Sequence, residues 1–377
     1  MSGNLKFFNE INSKVQFGFS MLRICVTKGP LVDRIKISTV YILLIVIFFL
    51  LSFHISATFD GNITNNILMA FLILSGVTQV LLKNFSGLAI DEEVLKQLNQ
   101  WIRSLYEEIV DDLEIQHIIS NNLRRITDFW KIAFKLGYLT VFVVSTAFPI
   151  SSMLKGEEGI IFAYPYMPTD FPYSLQLRHL IQWLILYSPS YNLINCDLSI
   201  FYVGLQFFGA ININDEIIKY WNEDIQAKSA LIKTIAKRHC DIIKNIDYFQ
   251  DVLLWISFTH FVTSTFILLF LFTLIRTNVA VEIAVLVLIF IQAELFLLCL
   301  FGEIIQVKME QLLKTFYLTN WYDLSVKDQK AFLIILGMMQ RTYTLRAARL
   351  YDINFNSFIQ IVKMAISYCA ILLTFGT

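Results

Sequence analysis

Seven stretches of this chain are continuously apolar over about the ~20 residues a helix needs to cross a bilayer. They span residues 37–57, 66–82, 132–152, 179–198, 252–275, 281–301 and 356–375. Transmembrane β-strands would alternate apolar and polar residues instead, so a β-barrel is excluded. With 56% hydrophobic and only 16% charged residues, the composition also lies outside the soluble globular range. We therefore expect an all-α integral membrane protein of seven transmembrane helices. It is a single membrane domain over 1–377, with no separate soluble domain.

The basic residues orient it. The N-terminal tail and the second, fourth and sixth connections hold 24 of the 30 Lys and Arg, and the outer side holds Lys155 and Arg276. The remaining four, Lys131, Lys135, Arg178 and Lys363, sit within or beside spans. Positive charge stays cytoplasmic, which predicts an inner N-terminus and an outer C-terminus. The first apolar run starts near residue 37 and is too long for a signal-peptide core, so an uncleaved first span is expected.

Several chemistries lack support. Net charge is zero with no basic run, which argues against nucleic acid. No nucleophile elbow, phosphate loop or zinc-protease motif occurs, and no enzymatic activity is expected. The five histidines are scattered and show no metal spacing, and no cofactor is implied. No cysteine falls in an outer loop, so no extracellular disulfide is expected. Asn62-Ile63-Thr64 is a glycosylation sequon on the outer side. Asn84-Phe85-Ser86 is a second sequon that topology places inside, unused.

Four of the six prolines lie between Pro149 and Pro172, in and just before the outer third connection, mixed with Phe162, Tyr164, Tyr166, Phe171 and Tyr173. It is either a semi-rigid lid or an interfacial aromatic belt. On the cytoplasmic side, residues 92–119 carry Leu95, Leu98, Ile102, Leu105, Ile109 and Leu113 at helical spacing, and 212–249 and 302–349 also read as helical. These segments are expected to extend the fourth, fifth and sixth spans, with apolar faces covered within or between subunits.

Ionisable groups in spans are costly and so mark candidate functional positions. Lys131 and Lys135 are placed to snorkel toward the cytosol. Asp197 lies near the inner end of the fourth span, within reach of water. Glu294 is deeper in the sixth span, where it either pairs with a basic residue or lines a wet cavity. On the last span, ~100° per residue puts Met364, Ser367, Ile371 and Phe375 on one face, with Thr374 at its edge. That face suits ordinary helix packing. Around a central axis it would instead give apolar rings able to gate by dewetting. Lys363 lies two turns further in and is expected to pair or point aside.

The C-terminal third resembles the insect odorant receptors of the ligand-tuned, variable kind. The resemblance rests on Glu294-Leu-Phe-Leu-Leu-Cys-Leu-Phe-Gly302, on Tyr317, Trp321-Tyr322 and Gln340, and on Phe358, Lys363 and Ser367-Tyr368. The related gustatory receptors carry Thr-Tyr, five hydrophobic residues, then Gln-Phe; here Ser367 and Thr374 stand at the polar positions. Glu303 departs from the family's usual Gly-Asn. The resemblance implies an odour-gated, non-selective cation channel without cofactors. It would assemble as a heterotetramer with a shared co-receptor subunit, in the plasma membrane of olfactory dendrites. Residues 302–350 would form the cytoplasmic assembly region. Ile371 would be the gate, Thr374 the filter position and Phe375 an outer ring, with Ser367 and Met364 lining the approach. The volatile would bind in the outer half of the bundle, among Phe71, Val143, Thr146, Trp183, Tyr187, Leu286 and Phe290. A gustatory-type channel and a seven-span G-protein-coupled receptor are the rival readings. The latter has the opposite orientation and usually an outer cysteine pair.

Overall fold

The structure is a computed structural model that describes residues 3–25, 30–59, 65–155, 173–276, 281–341 and 343–375. Ten α-helices are described: α1 (Gly3–Leu22), α2 (Leu31–Thr58), α3 (Asn65–Gly87), α4 (Glu92–Glu107), α5 (Leu113–Lys155), α6 (Ser174–Glu223), α7 (Leu231–Arg276), α8 (Val281–Tyr317), α9 (Val326–Met339) and α10 (Phe355–Phe375). Among the described residues, six are long and apolar enough to cross a membrane, from α2 at a mean hydropathy of 2.5 to α6 at 1.4. They are α2, α3, α5, α6, α7 and α8; the seventh predicted span coincides with α10.

The least hydrophobic of these spans is the central one. α6 packs against α1, α2, α3, α5, α7 and α8, and 72% of its most apolar window is buried, against 18% for α5. Helices in lipid associate by packing and polar contacts rather than by hydrophobicity. A helix enclosed by protein can therefore carry Gln182, Ser188, Asn192, Asn195, Ser199, Gln206 and Asn214, all buried. At ~1.5 Å per residue, the 50 residues of α6 span about 75 Å, over twice a bilayer's hydrocarbon core. α7 and α8 are likewise continuous from their spans into polar segments, as the sequence predicts.

Two of the expected cytoplasmic helices, over 92–119 and 302–349, are corrected. The single helix expected over 92–119 is two: α4 stops at Glu107, and Asp112 begins α5 by accepting hydrogen bonds from the backbone N–H of Glu114 (3.0 Å) and Ile115 (3.3 Å). That side-chain cap satisfies the orphan donors of a new helix. Ile109 and Leu113 consequently lie exposed off the face formed by Leu98, Ile102 and Leu105. The third span thus also continues into a polar extension. The N-terminal tail forms α1, whose Phe8, Ile11, Val15, Phe19 and Leu22 are buried at helical spacing.

Residues before α10 are not helical. β1 (Arg346–Ala347) pairs antiparallel with β2 (Tyr351–Asp352), and Ala348 and Arg349 take left-handed φ of 49° and 59°. The Gln250 side chain of α7 completes this hairpin as a third strand would. Its Oε1 accepts from Arg346 N–H at 2.6 Å and its Nε2 donates to the Arg346 carbonyl. Gly302 of α8 lies against the exit of the hairpin. A Cβ there would fall 1.9 Å from the Ile353 carbonyl oxygen, so the glycine has a steric reason.

Candidate functional site

Aromatic residues four apart on two neighbouring helices build a ladder through the bundle. On α6, Trp183 stacks on Tyr187 (centroids 4.9 Å, 14°) and Tyr187 on Tyr191 (5.8 Å). Tyr191 meets Tyr138 of α5 edge-on, and the ladder continues along α5 through Phe134 to Trp130. Tyr138 donates to Asn195 Oδ1 at 2.5 Å. Pro189 lies inside α6. Lacking an N–H, it frees the carbonyl one turn earlier, the kind of break tolerated in membrane helices where side chains re-satisfy the backbone. Next to it, the Ser190 hydroxyl donates to the Leu186 carbonyl at 2.8 Å.

Trp183 and Tyr187, two of the predicted ligand residues, are thus in direct contact and half-buried. Phe71, Val143 and Phe290 keep 42%, 51% and 37% of their surface exposed. The Thr146 hydroxyl donates to the Phe142 carbonyl at 2.7 Å. The Leu286 side chain lies outside the described residues, as do Asn62 and the proline-rich outer connection. His179 was not foreseen. It is 5% exposed, one turn before Trp183, and among the described residues both ring nitrogens lack hydrogen-bond partners. In sequence it is only a histidine at a span's edge.

A second site is a buried charge cluster. Lys83, one turn before the end of α3, is 4% exposed. Its ammonium pairs with Asp197 of α6 and lies 3.5 Å from Glu294 Oε1 of α8. From α7, His260 Nδ1 lies 3.6 Å from Glu294 and accepts from Gln79 Nε2 at 3.2 Å; Gln79 also donates to Ser264 at 3.3 Å. Four helices converge here. Lys83 reads in sequence as a loop lysine just past the second span, and the structure corrects this. Asp197, read as nearly in water, is 30% exposed but ion-paired. Glu294 takes the paired alternative. Lys131 joins Glu10 of α1 at 3.0 Å. Asn84 is buried, donating to Asn192 at 2.9 Å, so its sequon has no room for a glycan.

The third site is α10. It docks on α7 and α8 through Ile361 and Ala365, both buried. Phe296 of α8 meets Phe355 and Phe358 at its start, at 5.4 and 5.5 Å. The opposite face points away from the subunit. Met364 and Ile371 are 44% and 49% exposed, and Ser367 and Lys363 are exposed with them. Lys363 makes no ion pair among the described residues, contrary to one of its two expected fates. The side chains of Thr374 and Phe375 lie outside the described residues.

Comparison with known proteins agrees with this architecture. Residues 63–366 match the family model described as 7tm Odorant receptor. The fold superposes on the insect olfactory receptor OR5 from Machilis hrabei with a TM-score of 0.73 at 15% sequence identity, covering 97% of this chain and 99% of that one. The same receptor in complex with eugenol matches with the same values. No curated protein matches in sequence. The chain belongs to the 7tm odorant receptor family, and its fold is that of an insect olfactory receptor.

Proposed function

We propose that this chain is the odorant-binding subunit of a ligand-gated, non-selective cation channel, assembled with a co-receptor subunit in the plasma membrane of olfactory dendrites. The carrying observation is α10: it docks by one face only and turns Met364, Ser367 and Ile371 outward. Around a central axis that face would line the pore, with Ile371 as the apolar gate, Thr374 as the filter and Phe375 as an outer ring. The exposed apolar side chains of α9, Leu333 and Ile334, support residues 302–350 as the assembly region. Seven spans with the N-terminus inside and the C-terminus outside follow from the distribution of Lys and Arg.

The ligand is a small volatile held in the outer half of the bundle, against Trp183 and Tyr187 and among Phe71, Val143, Thr146, Leu286 and Phe290. A receptor of the same fold has been solved with eugenol, an aromatic of that size class. Affinity comes mainly from buried apolar surface, at ~25 cal/mol per Å². Unpartnered His179 would add a hydrogen bond to an oxygen-bearing ligand. Gating requires tighter binding to the open state than to the closed one.

The test is whole-cell recording over an odorant panel, with and without the co-receptor. Odour-evoked cation currents that need the co-receptor are expected. Silence across a broad panel despite surface expression overturns the reading. Currents without any partner favour the gustatory-type arrangement, and a C-terminal tag inaccessible on intact cells overturns the orientation.

A further inference from the structure

One ammonium faces two carboxylates inside the bundle, bonded to both but set closer to one than to the other. Lys83 sits closest to Asp197 of α6 and 3.5 Å from Glu294 of α8. The second oxygen of Glu294, Oε2, is buried without a hydrogen-bond partner among the described residues. The nearest group on α7 gives it no help. His260 Nδ1 accepts the Gln79 amide hydrogen, so its ring proton is on Nε2, which is buried and unpartnered. The nitrogen 3.6 Å from Glu294 therefore offers a lone pair, not a proton. Glu294 is the poorly served member of the cluster, and Lys83 is the one cation in contact with it among the described residues.

We propose that Lys83 is a two-position latch. Its ammonium rests on Asp197 in this structure and transfers toward Glu294 in the other gating state. A buried carboxylate short of donors is costly in a low-dielectric interior, so each position satisfies one helix at the expense of the other. Such competition makes an element bistable rather than continuously deformable. The latch reaches the last helix through α8 itself. Phe296, two residues after Glu294 and therefore on roughly the opposite side of α8, is the residue that meets Phe355 and Phe358 at the start of α10. Drawing Glu294 toward Lys83 moves that aromatic contact with it. The cluster lies toward the end of α3 and the middle of α6, at the inner end of the predicted fourth span and beyond Trp183 and Tyr187 along α6. This inference rests on the channel function proposed above.

Two neutral, nearly isosteric variants test it. Asp197→Asn leaves Glu294 as the sole carboxylate, and Glu294→Gln leaves Asp197. With the co-receptor, the two are expected to move the odorant EC50 in opposite directions, each by about fivefold. Basal current should follow, rising in one and falling in the other. A merely structural cluster would lose an ion pair either way and shift both variants in the same direction, and that result overturns the latch. So does the absence of any shift at normal surface expression. Should the wild-type channel itself give no current, the channel reading has failed, and the latch is then read from thermal melting of the solubilised protein. Glu294→Gln should lower the melting temperature when Lys83 is present and have no such effect in the Lys83→Met background. An effect of Glu294→Gln that is independent of Lys83 overturns the proposal.

Discussion

The charge cluster and the outward face of α10 handle costly groups in opposite ways. At the junction of α3, α6, α7 and α8, the subunit brings charged groups together and pairs them with each other, largely out of solvent. On α10 it leaves Met364, Ile371 and the charged Lys363 turned outward. Buried charge must be paired within the subunit, since an isolated ion in a low-dielectric interior is unaffordable. An outward helix face can be completed by other molecules. The difference separates what one subunit settles alone from what it leaves to assembly, and substitutions in the two places should fail differently.

The largest effect is expected at Lys83. Lys83→Met takes the shared cation from Glu294, 14% exposed, and Asp197, 30% exposed, and removing one partner of a largely buried pair costs about 3–5 kcal/mol. Surface expression should collapse and the melting temperature should drop sharply. A variant that melts like wild type would show that the cluster is not paired in the folded protein.

His239 tests a third treatment, burial without a partner. It lies on α7 outside the predicted spans, 1% exposed, with both ring nitrogens unbonded among the described residues. Burial pushes it down to about 4. The unfolded chain takes up a proton near pH 6.5 and the folded one does not until about 4, so stability falls as pH drops through that window. The loss is about 3 kcal/mol. His239→Phe should flatten the melting temperature of the solubilised protein between pH 6.5 and 4. An unchanged slope would place the pH sensitivity elsewhere.

A smaller effect separates the two faces of α10. Ala365 is fully buried against its neighbours, and Ala365→Leu should overpack that contact by about 1–3 kcal/mol. Ile371→Ser, on the outward face, should leave subunit stability within about 0.5 kcal/mol while altering basal leak. Equal destabilisation by both would mean that the outward face is already covered within the subunit.

The sequence displays the fold well and the sites unevenly, for physical reasons. Continuous apolarity marks the spans because lipid imposes it on each segment separately. The break at Asp112 and the hairpin at Arg346–Asp352 are not visible in that pattern. One depends on a side-chain cap, and the other on Gln250, almost a hundred residues away. Glu294 announces itself as a charge inside an apolar run. Its partner Lys83 does not, because it falls one residue past the apolar stretch and reads as a loop lysine. The spacing of Trp183, Tyr187 and Tyr191 foretells their stacking, whereas the isolation of His179 depends on what surrounds it in three dimensions. The face of α10 is legible because helical periodicity is local. What covers that face is a property of the assembly.

Lys363 gives the smallest and most selective test of the comparison. On a helix docked by Ile361 and Ala365, it falls on the same outward stripe as Ser367 and Thr374, and it is exposed without an ion pair among the described residues. If that stripe lines a water-filled path, the ammonium repels every passing cation, and a divalent ion feels twice the repulsion of a monovalent one. At about 7 Å in water one unit charge is worth roughly 0.6 kcal/mol, so the extra penalty on a divalent ion is about threefold. Lys363→Ala should leave subunit stability and odorant EC50 unchanged and raise calcium permeability relative to sodium by about that factor, read from reversal potentials under bi-ionic conditions. Lys363→Arg should keep the wild-type ratio. An unchanged ratio in the alanine variant would place Lys363 off the conduction path and move the pore-facing stripe of α10 toward Met364 and Ile371.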